Sequence, residues 1–261
     1  MLNSDLKQKS YLSDEEIEQF FDTPRKARKG KRNKQEAAPA PHYGLKEISP
    51  LTRTQAEIFE SYFNSNQNMF LHGYAGTGKS FISLYLLMSQ MMNDSSFKKL
   101  KIVRSTVPSR DQGFLPGSAA EKAKIYEAPY QAIFTELFGR SDAYDYFKRR
   151  GLVEFESTSY LRGTTWNDTL VLFDEFQNTS YNEAMTVLTR IGDNCRIIVS
   201  GDFHQTDLKR DDEKRGILDI IKILKKVNLV DFFEFKKEDI VRSGFVRELI
   251  LAEAKYKFEK S

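Results

Sequence analysis

From Ile48 onward the chain alternates between short apolar runs and longer stretches whose apolar residues recur every three or four positions. The runs Asn68–His72, Lys101–Thr106, Leu152–Glu156, Thr169–Phe173, Arg196–Ser200 and Leu229–Phe235 predict strands, most of them too uniformly apolar to have one wet face. Helical spacing predicts helices over Phe81–Met92, Ala119–Phe138, Tyr181–Ile191, Gly216–Lys226 and Phe245–Phe258. The last of these repeats Phe245, Leu249, Ala252 and Tyr256 along one side. A loop rich in turn formers, with Pro108, Gly113, Pro116 and Gly117, separates the second strand from the long helix. Strands that alternate with helices imply an α/β domain with a mainly parallel sheet covered on both faces.

The first 45 residues do not share this pattern. Asp14–Phe21 has the composition of a short amphipathic helix, but the stretch after it is dominated by charge, Pro and Gly. Such a composition buries too little apolar surface to offset the entropy of ordering. The expected organisation is therefore a flexible charged tail over 1–45 and one domain over 46–261. Charge sharpens the division. The formal net charge of +3 separates into −4 over residues 1–22, +6 over residues 23–45 and +1 over the remainder. Seven cations between Arg25 and Lys34 make that segment a candidate grip on a polyanion. The longest apolar-looking stretch, Phe81–Met92, falls short of the roughly 20 residues a bilayer span needs. No basic-then-apolar leader opens the chain, and the single cysteine, Cys195, has no disulfide partner within it. A cytoplasmic setting without membrane contact is the expectation.

Candidate chemistry begins with Gly73-Tyr74-Ala75-Gly76-Thr77-Gly78-Lys79-Ser80, which matches G-x-x-x-x-G-K-[ST] at every fixed position. Glycines let the backbone turn so that its N–H groups line a nest for phosphate oxygens, and the following helix adds its positive end. Lys79 is expected on the β- and γ-phosphates of ATP, and the Ser80 hydroxyl on Mg²⁺. The second requirement is an acid on a neighbouring strand. Thr169–Phe173 runs into Asp174, a candidate metal ligand, and Glu175, a candidate base for an attacking water. Adjacent acids favour hydrolysis over transfer to a small substrate. Beyond the strand Arg196–Ser200, Gln205 is a candidate sensor of the γ-phosphate. His42, His72 and His204 have no metal-like spacing.

Taken in order, these motifs and several further blocks resemble the PhoH family of phosphate-starvation-inducible ATPases, related to superfamily-1 helicases. The blocks are GYAGTGKS, GFLPGS with Glu121-Lys122 and Pro129-Tyr130 after it, LRGTTWND, LFDEFQN, LTRIG, SGDFHQTDL and DIVRSGFV. The resemblance covers roughly residues 50–256. It implies a single RecA-like P-loop domain, Mg²⁺-dependent ATP hydrolysis and action on RNA or single-stranded nucleic acid. It also makes Gln55 the residue that recognises adenine, and Arg104, Arg110, Lys122 and Arg162 candidate nucleic-acid contacts. Arg242 stands where the family has the arginine of D-x-V-R-H, although Ser243 replaces the histidine. With one RecA-like unit per chain, an arginine finger would come from a neighbouring subunit, most simply in a hexameric ring with a shared site. The alternative reading is an ATP-dependent assembly switch or binding module without unwinding activity.

Overall fold

A computed structural model describes residues 43–105, 119–158, 161, 163–202 and 211–258, with backbone alone at 119–123, 211–215 and 257–258. The tail helix expected over Asp14–Phe21, the basic run Arg25–Lys34, and the candidates Arg110, Arg162 and Gln205 lie outside the described residues. The elements in chain order are α1 (Arg53–Asn64), β1 (Asn68–Gly73), α2 (Lys79–Asn93), β2 (Lys99–Arg104), α3 (Ala119–Phe138) and α4 (Ala143–Arg149). They continue with β3 (Val153–Ser157), β4 (Thr169–Asp174), α5 (Tyr181–Leu188), β5 (Cys195–Gly201), α6 (Asp211–Leu224), β6 (Val230–Phe235) and α7 (Gly244–Phe258).

The strands form one parallel sheet in the order β3-β2-β4-β5-β1-β6. Strand β5 is inserted between β1, which carries the phosphate loop, and β4, which carries the acids. This is the RecA-like arrangement, and the crevice it opens at the carboxyl ends of the strands is where α/β sheets bind ligands.

Alternation along each strand sorts side chains into two cores. Met69, Leu71, Leu100, Ile102, Leu170, Leu172 and Ile198 join a cluster with residues of α1 to α4. Phe70, Val103, Val171, Phe173, Ile197 and Val199 face the other way, into a cluster with Ala184 and Val187 of α5 and Ile217 and Ile220 of α6. The sheet is therefore sandwiched, as the apolar runs predict. No helix among the described residues is long and apolar enough to cross a membrane.

One expectation changes and two features are added. Tyr43 and Leu45, assigned to the tail by composition, are buried; Tyr43 stacks on Tyr146 at 3.8 Å between ring centroids and donates to Asp142 at 2.9 Å. The helix α1 was not foreseen, because RTQAEIFESYFN is mostly polar and carries only the narrow inward set Gln55, Ile58 and Tyr62. In α7 the stripe Phe245, Leu249, Ala252, Tyr256 faces outward, with Phe245 79% and Leu249 57% exposed. The less exposed positions are Arg247, Ile250, Leu251 and Ala254. The helix carries two apolar stripes, and period alone does not say which one packs.

One buried arginine ties the start of the sheet together. Arg196 of β5 donates to the carbonyls of Tyr62 (2.9 Å) and Gln67 (3.0 Å) and to Gln90 Oε1 (3.3 Å), with its guanidinium 3.6 Å from the Tyr62 ring centroid. It thereby fixes the end of α1, the entry to β1 and the last turn of α2. Arg196→Met strands two buried carbonyls and is expected to cost about 2–4 kcal/mol. Urea unfolding checks this; Arg196→Lys should recover less than half, since an ammonium cannot span the same fork.

Candidate nucleotide and metal site

The site grows from β1 and β4. After β1 the chain turns through Gly73, Gly76 and Gly78, all at positive φ (119°, 74° and 83°). Gly73 has a second reason to lack a side chain: a Cβ there would lie 2.0 Å from the Phe235 carbonyl, which instead accepts the Tyr74 N–H at 3.1 Å. The edge strand β6 thus braces the loop from outside. At the far end Gly78 opens α2, whose N-terminal N–H groups face the crevice.

Lys79 donates to the carbonyls of Gly73 (2.8 Å) and Tyr74 (2.7 Å), and the Thr77 hydroxyl closes the loop on Tyr74 at 2.9 Å. Burial pushes the Lys79 ammonium below its ordinary pKa, against the opposing pull of Asp202, Asp174 and Glu175.

Asp174 is the hub. It is 4% exposed, and its Oδ1 accepts from the Ser80 hydroxyl at 3.0 Å and from the Ser200 hydroxyl at the end of β5. Its Oδ2 accepts from the Tyr130 phenol at 3.0 Å. Glu175 follows in the left-handed region (φ 52°, ψ 40°), which turns its side chain away from the strand direction into the crevice. Gln177 holds it there, donating to Glu175 Oε2 at 2.6 Å while its own Oε1 accepts the Asp202 N–H at 2.9 Å. Burial first, and then the charge of Asp174, push the Glu175 carboxyl above the usual range, while Arg104, Gln177 and Lys79 pull it back.

These groups line a cavity of about 630 Å³ that continues past Gln55, Leu51 and Ile48. Its volume suits a nucleotide. The glycine-rich turn, Lys79 and the α2 terminus supply the phosphate half. The hydroxyl of Ser80 and the carboxylate of Asp174 are hard oxygen donors, of the kind and small number that Mg²⁺ uses when most of its shell is water and phosphate. Among the described residues no group of three or more His, Cys, Asp or Glu side chains is arranged around a metal position. The residues therefore fit a magnesium–nucleotide complex better than an all-protein metal cage.

The profile of the family described as PhoH-like protein matches residues 47–253. The chain belongs to the PhoH family. Its relatives include the PhoH-like protein of Bacillus subtilis, 31% identical over 79% of this chain and 64% of that one, and Protein PhoH of Escherichia coli K12, 31% identical over 79% and 59%. A PhoH-like protein of Synechocystis is 34% identical over 70% of this chain and 55% of its own. The chain thus spans under two thirds of these curated relatives. Among solved structures, the Pif1 helicase from Candida albicans has a TM-score of 0.35 at 14% identity, covering 77% of this chain and 44% of that one. The Sulfolobus solfataricus SWI2/SNF2 ATPase core has 0.38 at 13%, covering 77% and 47%. Likenesses this distant say nothing of substrate.

Within this PhoH family member, Lys79, Ser80, Asp174 and Glu175 converge as the motifs anticipate. Gln55 lies at the cavity wall, but its amide is engaged within the chain: Oε1 accepts the Leu51 N–H at 2.7 Å and Nε2 donates to the Thr77 carbonyl at 3.1 Å. Arg104 points into the crevice rather than outward. It stands in register with Asp174, feels both carboxylates and sits 5.8 Å from the Tyr126 ring centroid. Lys122 falls on α3, where backbone alone is described.

Arg242 rests on the phosphate loop of its own chain. Val241 N–H bonds the Gly76 carbonyl at 3.0 Å, and the Arg242 Cγ lies 2.9 Å from where a Gly76 Cβ would stand. Ser200, Gln177 and Tyr130 were missed as site residues. Gln177 and Tyr130 stand inside quoted blocks, and Ser200 ends a predicted strand beside the acids, so position was the available signal.

Gly76→Ala places a side chain at φ 74° and against Arg242. It should weaken nucleotide binding about tenfold, given 1–2 kcal/mol for a left-handed alanine, with the melting transition retained. Titration with a fluorescent ADP analogue measures it.

Proposed function

We propose that this chain hydrolyses ATP with Mg²⁺ and couples hydrolysis to binding RNA or single-stranded nucleic acid. The carrying observation is the acid pair at the end of β4, with Asp174 on Ser80 of the phosphate loop and Glu175 aimed by Gln177. In this reading the loop and Lys79 orient the β- and γ-phosphates. Ser80 and Asp174 hold Mg²⁺, which supplies neutralisation of charge on the transferring phosphoryl group. Glu175 accepts a proton from the attacking water. Gln205, past β5, is the sensor candidate.

Coupling to nucleic acid rests on the family resemblance and on the seven cations between Arg25 and Lys34. Steady-state hydrolysis with and without single-stranded RNA tests both halves. Glu175→Gln should lower kcat about 100-fold or more while ADP still binds. Stimulation by RNA that disappears in this variant supports a nucleic-acid-coupled motor; indifference to RNA turns the reading to single-stranded DNA or to the assembly switch.

Arg242 is proposed as the residue that meets developing charge on the γ-phosphate. The contacts of Val241 and Arg242 with Gly76 favour its acting within its own chain, rather than across a ring as one RecA-like unit per chain suggested. An arginine in this role is worth about 10³–10⁵ in rate, so Arg242→Ala should nearly abolish turnover and spare binding. Mixing Arg242→Ala with Glu175→Gln chains discriminates: no recovery is expected for a site completed in cis, whereas recovered hydrolysis would require a site shared between subunits.

A further inference from the structure

The block Pro129-Tyr130 is part of the sequence pattern, yet the hydrolytic reading gives it no task. The structure does. Tyr130 sits on α3, 44 residues before Asp174, and is 1% exposed. Pro129 lacks an N–H to bond the carbonyl four residues back, so the helical ladder is interrupted where α3 meets the cavity.

The phenol donates to Asp174 Oδ2 at 3.0 Å, while Oδ1 takes the two serine hydroxyls. The two oxygens of this carboxylate therefore have different environments. Oδ1 is next to Ser80, the other hard donor of the site. Oδ2 is turned toward α3 and is capped by a neutral donor that leaves the charge of the carboxylate intact. Arg104 ends β2 in register with Asp174 and lines the same cavity as the phenol.

We propose that Tyr130 is a positioning residue for the metal-binding carboxylate, fixing Asp174 through Oδ2 so that Oδ1, with Ser80, is presented to Mg²⁺, and that Arg104, in register with Asp174 on β2, supports this placement. The inference rests on the reading of the crevice as a magnesium–nucleotide site. Without the hydroxyl, a buried carboxylate oxygen has lost its described donor, and the carboxylate can rotate to recover one. Loss of an outer partner of a metal ligand typically costs 10–100-fold in metal affinity.

The test uses the full chain and a fluorescent ADP analogue, titrated at a series of Mg²⁺ concentrations without turnover. Tyr130→Phe should raise the Mg²⁺ concentration that half-restores tight nucleotide binding by about tenfold or more. Affinity measured in EDTA should stay as in the parent, because the phosphate loop does not touch Tyr130's hydroxyl in this scheme. Arg104→Gln should shift the Mg²⁺ half-point in the same direction by a smaller factor.

A Tyr130→Phe half-point equal to the parent's overturns the inference, as does an equal loss of affinity with and without metal, which a packing role alone would give. Should Tyr130→Phe fail to fold, an unmoved half-point in Arg104→Gln overturns it instead and returns Arg104 to nucleic-acid contact. A parent whose nucleotide binding ignores Mg²⁺, or which binds no nucleotide, overturns the underlying reading and the inference with it.

Discussion

Everything in the crevice depends on a single buried carboxylate. Asp174 receives hydroxyls from α2 through Ser80, from β5 through Ser200 and from α3 through Tyr130, so three elements distant in sequence are referenced to one side chain. All three donors are neutral. They solvate the charge without cancelling it, which a salt bridge would do. The nearby cations Lys79 and Arg104 face three acids, Asp174, Glu175 and Asp202, as the mutual pulls on Lys79 and Arg104 make plain. A site balanced in this way stays negative, and a divalent cation with phosphate is its natural complement.

Strand order makes the convergence possible. Because β5 lies between β1 and β4, the phosphate loop and the acids are two strand spacings apart, roughly 10 Å. That gap would be too wide for direct contact between the strands' own ends. It is bridged by Ser80, already one turn into α2, and by Ser200, a small residue at the end of the strand between. A large side chain at position 200 would fill the space where the hydroxyl meets Asp174. The edge strand β6 completes the enclosure by receiving the Tyr74 N–H, and the segment after it brings Val241 and Arg242 onto Gly76.

How much of this was readable in sequence depended on how local the cause was. Strands buried on both faces announce themselves as apolar runs, and each predicted strand is present with ends displaced by up to two residues. The phosphate loop is contiguous, so its eight residues specify their own geometry. In contrast, α1 is amphipathic with a narrow buried edge, and its Thr52 cap was the stronger signal. The spacing of α7 left its packed face open, because Ile250 and Leu251 offer an inner face as good as the outward stripe. Tyr130 and Gln177 were visible as letters but not as partners, since a bond across 44 residues, or from a turn to the next strand's end, leaves no periodic trace. Arg104, a nucleic-acid candidate by resemblance, is half-buried in the crevice beside carboxylates, a setting that strand periodicity does not disclose.

The direction of Arg104 bears on how the crevice is supported. Strand β2 and helix α3 are separate supports: Arg104 ends β2 in register with Asp174, and Tyr130 of α3 donates to the same carboxylate. The phosphate loop has supports of its own, in the Phe235 carbonyl of β6 and in Gln55. The phosphate loop and the Asp174 carboxylate are thus held by different elements and joined through the Ser80 hydroxyl. Hydrogen bonds of about 3 Å weaken over displacements under 1 Å, so the placement of α3 bears directly on Asp174 and on the loop only through Ser80.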